Sequence, residues 1–66
     1  MNKEIASMIL EELKNGAVIE IRTGSGYNIT ADPAEIDARS PYYLKITTTY
    51  NASVCIPYAN IELMTN

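Results

Sequence analysis

The stretch Ser53-Val54-Cys55-Ile56-Pro57-Tyr58-Ala59-Asn60-Ile61-Glu62-Leu63-Met64 reads as two short strands, 53–56 and 61–64, joined by four residues. A Pro-Tyr-Ala-Asn joint suits one tight helical turn. Pro57 presets its own φ and offers no N–H to a ladder, and Asn60 tolerates turn geometry, so the next strand leaves at a sharp angle. Corners of this kind are how very small β-barrels close.

Working outward, Tyr42, Leu44, Ile46 and Thr48 alternate with Tyr43, Lys45, Thr47 and Thr49. This β-branched and aromatic run has high strand preference, and Tyr50-Asn51-Ala52 turns the chain after it. Further upstream, Ala17, Ile19 and Ile21 alternate with Val18, Glu20 and Arg22. Tyr27, Ile29 and Ala31 alternate in the same way with Asn28 and Thr30. The two runs form a hairpin around Thr23-Gly24-Ser25-Gly26. Between the hairpin and Tyr42, residues 32–41 hold two prolines and several charges around Ile36, and are expected to be irregular apart from a single helical turn after Pro33. The N-terminal residues change period: Ile5, Met8, Ile9 and Leu13 recur at helical spacing. Asn2 is the expected N-cap, and Asn15-Gly16 the left-handed stop that ends the helix at Lys14 or Asn15.

The expectation is one domain over residues 1–66, mostly β, with an N-terminal helix in 1–15 and a five-stranded small β-barrel in 17–64, a roll of the Src-homology-3 type. Val54, Ile56, Ile61 and Leu63 are its inward candidates in the last two strands. The fifth strand is also expected to be an exposed apolar edge with only Glu62 to guard it, which natural proteins rarely leave open. Val54, Ile56, Ile61, Leu63 and Met64 are therefore the expected contact between copies of the chain.

Composition supports self-association. A chain of 66 residues buries only about 60% of the surface its unfolded form exposes. One Cys and no His leave neither an intrachain disulfide nor an ordinary zinc site to compensate. Pairing with further copies is the remaining common remedy. The net charge of −3, from five basic and eight acidic residues, provides no global field for nucleic acid. No signal-peptide pattern opens the chain and no apolar run can span a bilayer, so the expected setting is cytoplasmic, in a virus or a bacterium. The lone Cys55 agrees with a reducing compartment.

An N-terminal helix, five strands and a sharp corner before the last strand resemble the Sm-like family, which includes eukaryotic Sm proteins and bacterial Hfq. Ile56-Pro57-Tyr58-Ala59-Asn60-Ile61 falls where that family carries its second motif, and Asn60 matches the small polar residue there. Tyr58 and Ala59 stand where the family has Arg-Gly or Lys-His. Ile36-Asp37 resembles the apolar-Asp pair of the first motif, but Ala38-Arg39-Ser40-Pro41-Tyr42 lacks its Asn and is longer than the usual spacing. The resemblance implies a homo-oligomeric ring without cofactor or catalysis, whose loops hold single-stranded RNA between stacking and hydrogen-bonding side chains. On this chain those roles would fall to Tyr42 and Tyr58 for stacking, and to Arg39, Ser40 and Asn60 for polar contacts.

Two other readings use the same residues. One is a binder of a nucleotide-like metabolite at subunit junctions, for which the acidic charge matters less. The other is a protein-interaction module that docks a different polypeptide by its helix or open edge. All five aromatic residues are tyrosines, at 27, 42, 43, 50 and 58. They suit either a binding surface or half-buried strand ends, and Tyr58 is the one expected to face solvent. Gly24-Ser25-Gly26 lacks the following helix of a phosphate loop and reads as a turn. Asp32, Glu35 and Asp37 lack the ligand order of a calcium loop. Nothing in the sequence sets paired carboxylates around a pocket, so no enzyme and no metal site are expected.

Overall fold

A computed structural model describes residues 1–48, 50 and 52–66. Thr49 and Asn51, assigned from sequence to a strand end and a turn, lie outside the described residues. Among those described, the chain is mostly β with one N-terminal helix. Six strands form two antiparallel three-stranded sheets.

Helix α1 spans Lys3–Leu13. Asn2 caps it as expected, its Oδ1 accepting from Ile5 N at 2.9 Å. The far end falls where expected but is closed differently. Lys14 is the C-cap, with its N–H donating to Leu10 O at 3.0 Å, and Gly16 does not take a positive φ. Asn66 finishes this end instead, its Nδ2 donating to Leu13 O and Val18 O at 3.3 Å. A Cβ at Gly16 would lie 2.5 Å from that Nδ2, so glycine here makes room for the cap.

Strands β1 (Ile19–Thr23) and β2 (Asn28–Ala31) pair in the register Ile19↔Ala31 and Ile21↔Ile29. The turn between them uses Gly26 at φ +92, where a side chain would be strained. A 3₁₀ turn at Pro33–Glu35 follows, begun by proline and held by Asp32 N donating to Glu35 Oε1 at 2.9 Å. It turns the chain out of the first sheet into β3 (Ile36–Asp37), a short strand inside the segment expected to be irregular. Strand β4 (Tyr43–Thr47) lies between β3 and β5 (Ser53–Pro57). The expected corner is a second 3₁₀ turn, Tyr58–Asn60, which follows Pro57 and carries the chain back to β6 (Ile61–Thr65). Each proline-led turn thus transfers the chain from one sheet to the other.

Strand β6 pairs with β1, giving the order β2-β1-β6 in one sheet and β3-β4-β5 in the other. No ladder joins β5 to β6 or β2 to β3, so the expected closed five-stranded barrel is replaced by two sheets, open along two seams. The sharp corner accounts for one seam: it swings β6 out of line with β5 and onto β1, where its hydrogen bonds are made.

The core is Ile19, Ile21, Ala31, Ile61 and Met64 from the first sheet, with Leu44, Ile46 and Ile56 from the second. Tyr58 and the helix residues Ala6 and Leu10 complete it. Buried Thr23 is satisfied locally, its Oγ1 accepting from Tyr27 N at 3.1 Å. Two sequence expectations shift here. The helix was expected to cover the core with Ile5, Met8, Ile9 and Leu13, but Ile5 and Met8 are exposed, Met8 at 67%. The stripe that packs is Ala6 and Leu10 with the half-buried Ile9 and Leu13, so two of the four expected residues do face the core, and small Ala6 lets the helix axis approach the sheets. Strand β6 was expected to point Ile61 and Leu63 inward. Its register against β1 shifts between Arg22 and Thr23, where Thr23 faces Ile61 and Arg22 faces Leu63. This bulge inserts Glu62 as an extra residue and breaks the alternation, so Ile61 and Met64 are buried while Leu63 is exposed.

Among the described residues no helix is long and apolar enough to cross a membrane.

Candidate functional site

The segment from β3 to β4 gathers the charges. Asp37 and Lys45 are opposite each other in the β3–β4 register, and Cys55 lies beyond Lys45 on β5. Arg39 folds back on Asp37: its Nη2 donates to Oδ2 at 2.7 Å, its Nε to Oδ1 at 3.0 Å, and its backbone N–H to Oδ1 at 3.0 Å. This two-pronged, charge-assisted contact fixes the guanidinium plane. It also holds the Asp37 carboxyl at about 2, below the usual 3.8, through the Arg39 side chain first and the Arg39 N–H next, with the charge of Lys45 adding to both. The Arg39 guanidinium is correspondingly raised, chiefly by its bond to Asp37.

Because the folded-state value of Asp37 lies below the unfolded one, the pair supports the fold fully above pH 3.8, and its contribution disappears as pH falls through about 2. We therefore expect the Asp37 carboxyl carbon to titrate near 2 by NMR. In an Arg39→Gln variant the midpoint should return toward 3.8, and an unchanged midpoint would contradict the bond.

Asp37, Arg39, Ser40, Tyr43 and Lys45 line an open cavity of about 430 Å³. Tyr42 beside it is 78% exposed. Lys3 Nζ reaches Arg39 O at 3.4 Å from the helix, so three of the chain's five basic residues stand around this loop. Arg22 is not among them: it sits on β1 between Asn28 and Leu63. The sequence points to Arg39, Ser40 and Tyr42, offers Tyr43 only as one of five tyrosines, and gives no sign of Lys3. Tyr43 and Lys45 share one face of β4 by simple alternation, which is a signal the sequence carried. Lys3 had none, because only the fold brings the helix start to this loop.

The corner residues are placed differently. Tyr58, expected to face solvent and stack on a ligand, is only 4% exposed. Its hydroxyl points at two carbonyls, Ser40 O at 3.0 Å and Ala38 O at 3.2 Å, while its N–H donates to Tyr42 O at 3.3 Å. Burial then raises the phenol pKa. The ring belongs to the buried core, so its hydroxyl needs a partner, which the β3–β4 loop supplies. Tyr58 therefore holds the loop and offers no stacking face. Met1 N donates to Tyr58 O at 3.1 Å and Ile61 O at 2.9 Å, tying the start of the helix to the same corner. Replacing Tyr58 by Phe should cost about 1 kcal/mol in urea unfolding, the net worth of one such bond. The amide signals of residues 38–42 should shift most; a perturbation confined to the helix would argue against the latch.

Asn60 also departs from its expected role. It is half-buried and faces the hairpin, with Nδ2 donating to Ser25 Oγ at 3.3 Å and its carbonyl accepting from Gly24 N at 2.8 Å. The structure thus brings Arg39, Ser40, Tyr42 and Tyr58 together around one loop and sets Asn60 on the other side of the corner.

The residues expected at a contact between copies separate in the same way. Ile56, Ile61 and Met64 belong to the chain's own core, which corrects their assignment to an interface, while Val54 and Leu63 are exposed at 42% and 45%. Cys55 is a free, exposed thiol. Among the described residues no three His, Cys, Asp or Glu side chains are grouped to hold a metal ion.

No protein-family model, curated protein or solved structure matches this chain.

Proposed function

We propose that the chain is a non-catalytic, Sm-like subunit that assembles with copies of itself into a ring and binds single-stranded RNA on the β3–β4 loop. The observation that carries this reading is the local reversal of charge. In a chain of net charge −3, Arg39, Lys45 and Lys3 gather around a single carboxylate, beside the exposed ring of Tyr42 and the half-exposed ring of Tyr43. Phosphates would lie against the cations, and bases would stack on the tyrosines, which accept any base face. Ser40 is already committed in part, its Oγ accepting from Tyr42 N at 3.1 Å, which presents Tyr42 to solvent.

Support for assembly comes from two of the four sheet edges. Strands β5 and β6 each end a sheet, each is five residues long, and each exposes one large apolar side chain, Val54 or Leu63. Pairing β5 of one copy with β6 of the next would satisfy both edges and bury both side chains.

The test is fluorescence anisotropy with labelled U-rich and A-rich oligonucleotides at low salt, paired with light scattering for the oligomer mass. Three cations engaging phosphates predict a log–log salt slope of about −2, and the Arg39→Gln, Lys45→Gln double variant should flatten it to about −1 or less. No binding at about 100 µM protein, or a slope indifferent to those two substitutions, would remove RNA from the reading.

A second reading has its own observation. A groove of about 380 Å³ runs between the hairpin and β5, past Tyr27, Asn60, Val54 and Pro57. Since Val54 also marks the open edge, a nucleotide-like ligand stacked on Tyr27 would sit at a junction between copies. Strong thermal stabilisation by mononucleotides, with no gain from longer oligonucleotides, would favour it.

A further inference from the structure

A groove of about 460 Å³ separates helix α1 from the Pro33–Arg39 segment, within the size range of small-molecule sites. Its floor is apolar, built from Leu10, Ile19, Ile36 and Ala38. Its charged rim is the informative part, because each wall carries one group of each sign. On the helix wall Lys14 Nζ lies 3.3 Å from Glu11 Oε2, and on the strand wall Arg39 grips Asp37.

These two pairs differ in how much they have left to offer. Lys14 and Glu11 are both more than half exposed, so water competes for their contact and either can turn to another partner. Arg39 uses its Nε and one Nη2 hydrogen on Asp37, leaving the outer edge of the guanidinium with unused donors. A simple anion entering the groove would meet a carboxylate on each wall, and a simple cation would meet an ammonium or a guanidinium. A dipolar molecule can satisfy both walls at once.

We propose that this groove binds a small zwitterion with a large apolar side chain, the chemistry of a free aromatic or branched-chain amino acid. The apolar side chain lies on Leu10, Ile19 and Ile36. The carboxylate takes Lys14 and the free edge of Arg39, and the ammonium takes Glu11, since Asp37 already accepts four hydrogen bonds from Arg39. Ser7, also on the helix wall, adds a hydroxyl at the mouth. This site shares Asp37 and Arg39 with the β3–β4 cavity, but Lys14 and Glu11 belong to it alone, so a change at Lys14 tests it without touching the residues proposed to hold RNA.

The experiment is an NMR titration of the full, isotope-labelled chain with L-phenylalanine. In parallel titrations, 3-phenylpropanoate lacks the ammonium and phenethylamine lacks the carboxylate. Saturable shifts should fall on residues 7–14 and 33–39, with a Kd of roughly 1 mM or below, and each half-ligand should bind about tenfold more weakly. Lys14→Gln, an exposed change at the helix end, should weaken phenylalanine about fivefold or more while leaving the spectrum of the free protein otherwise intact. The proposal is overturned by the absence of saturable shifts at about 10 mM phenylalanine. Equal binding of 3-phenylpropanoate, or indifference to Lys14→Gln, overturns it as well.

Discussion

Replacing Ile21 by Ala should unfold most of the protein's stability in a single step. Ile21 is fully buried on β1, the central strand of the first sheet, with Ile29 opposite on β2 and Met64 opposite on β6. Truncating a buried Ile costs about 2–5 kcal/mol, because the side chain's transfer energy is lost and the space left behind collapses only in part. A chain of this length has roughly 3–10 kcal/mol to lose. The midpoint of thermal unfolding should therefore fall by about 10–30 °C. Ile5→Ala is the control, since Ile5 lies on the exposed helix face and should change stability by about 0.5 kcal/mol or less. Urea titrations followed by circular dichroism would compare the two, and equal midpoints would mean that the core is centred elsewhere.

The second large effect concerns assembly. Leu63→Glu with Val54→Glu should weaken the proposed association of copies about 100-fold or more while leaving the monomer folded. Leu63 faces Arg22 across the β1–β6 ladder, so a carboxylate at 63 gains a neighbour of opposite sign within its own chain. Across a β5–β6 junction between copies, the two new carboxylates would instead face each other in an apolar contact, where like charges are costly. Light scattering should then report a single-chain mass at about 10 µM, with the far-ultraviolet spectrum unchanged. An oligomer that keeps its mass through both substitutions is not held by these edges.

The sequence made five of the six strands and both proline-led turns legible because those features are local, whereas the two-residue β3 is too short to show an alternation. Alternation over three to five residues located Ile19, Ile21, Leu44, Ile46 and Ile56, and each is buried. The misplacements all come from geometry that acts at a distance. Helical spacing grouped Ile5 and Met8 with Ile9, but which stripe packs depends on how closely Ala6 can approach a sheet that is absent from the local sequence. The exchange of Leu63 for Met64 follows from one extra residue in β6, visible only against the register of β1. Tyr58 was read as a surface aromatic because its two carbonyl partners lie 18 and 20 positions away. In the candidate site, Arg39, Ser40 and Tyr42 were readable as a polar-aromatic run. The bond of Arg39 to Asp37 and the approach of Lys3 required the folded backbone.

The order β2-β1-β6 also has a kinetic consequence. Strands β3, β4 and β5 are neighbours in sequence, and hairpins of this kind close in about 1–10 µs. The first sheet is not finished by neighbours alone, since Ile19–Thr23 must find Ile61–Thr65 across about two thirds of the polypeptide. Such distant encounters carry most of the entropic barrier to reaching the native state. Until they occur, the Ile21 side of β1 is a sticky, half-finished template, and refolding at high concentration is in a race between its own last strand and a stranger's.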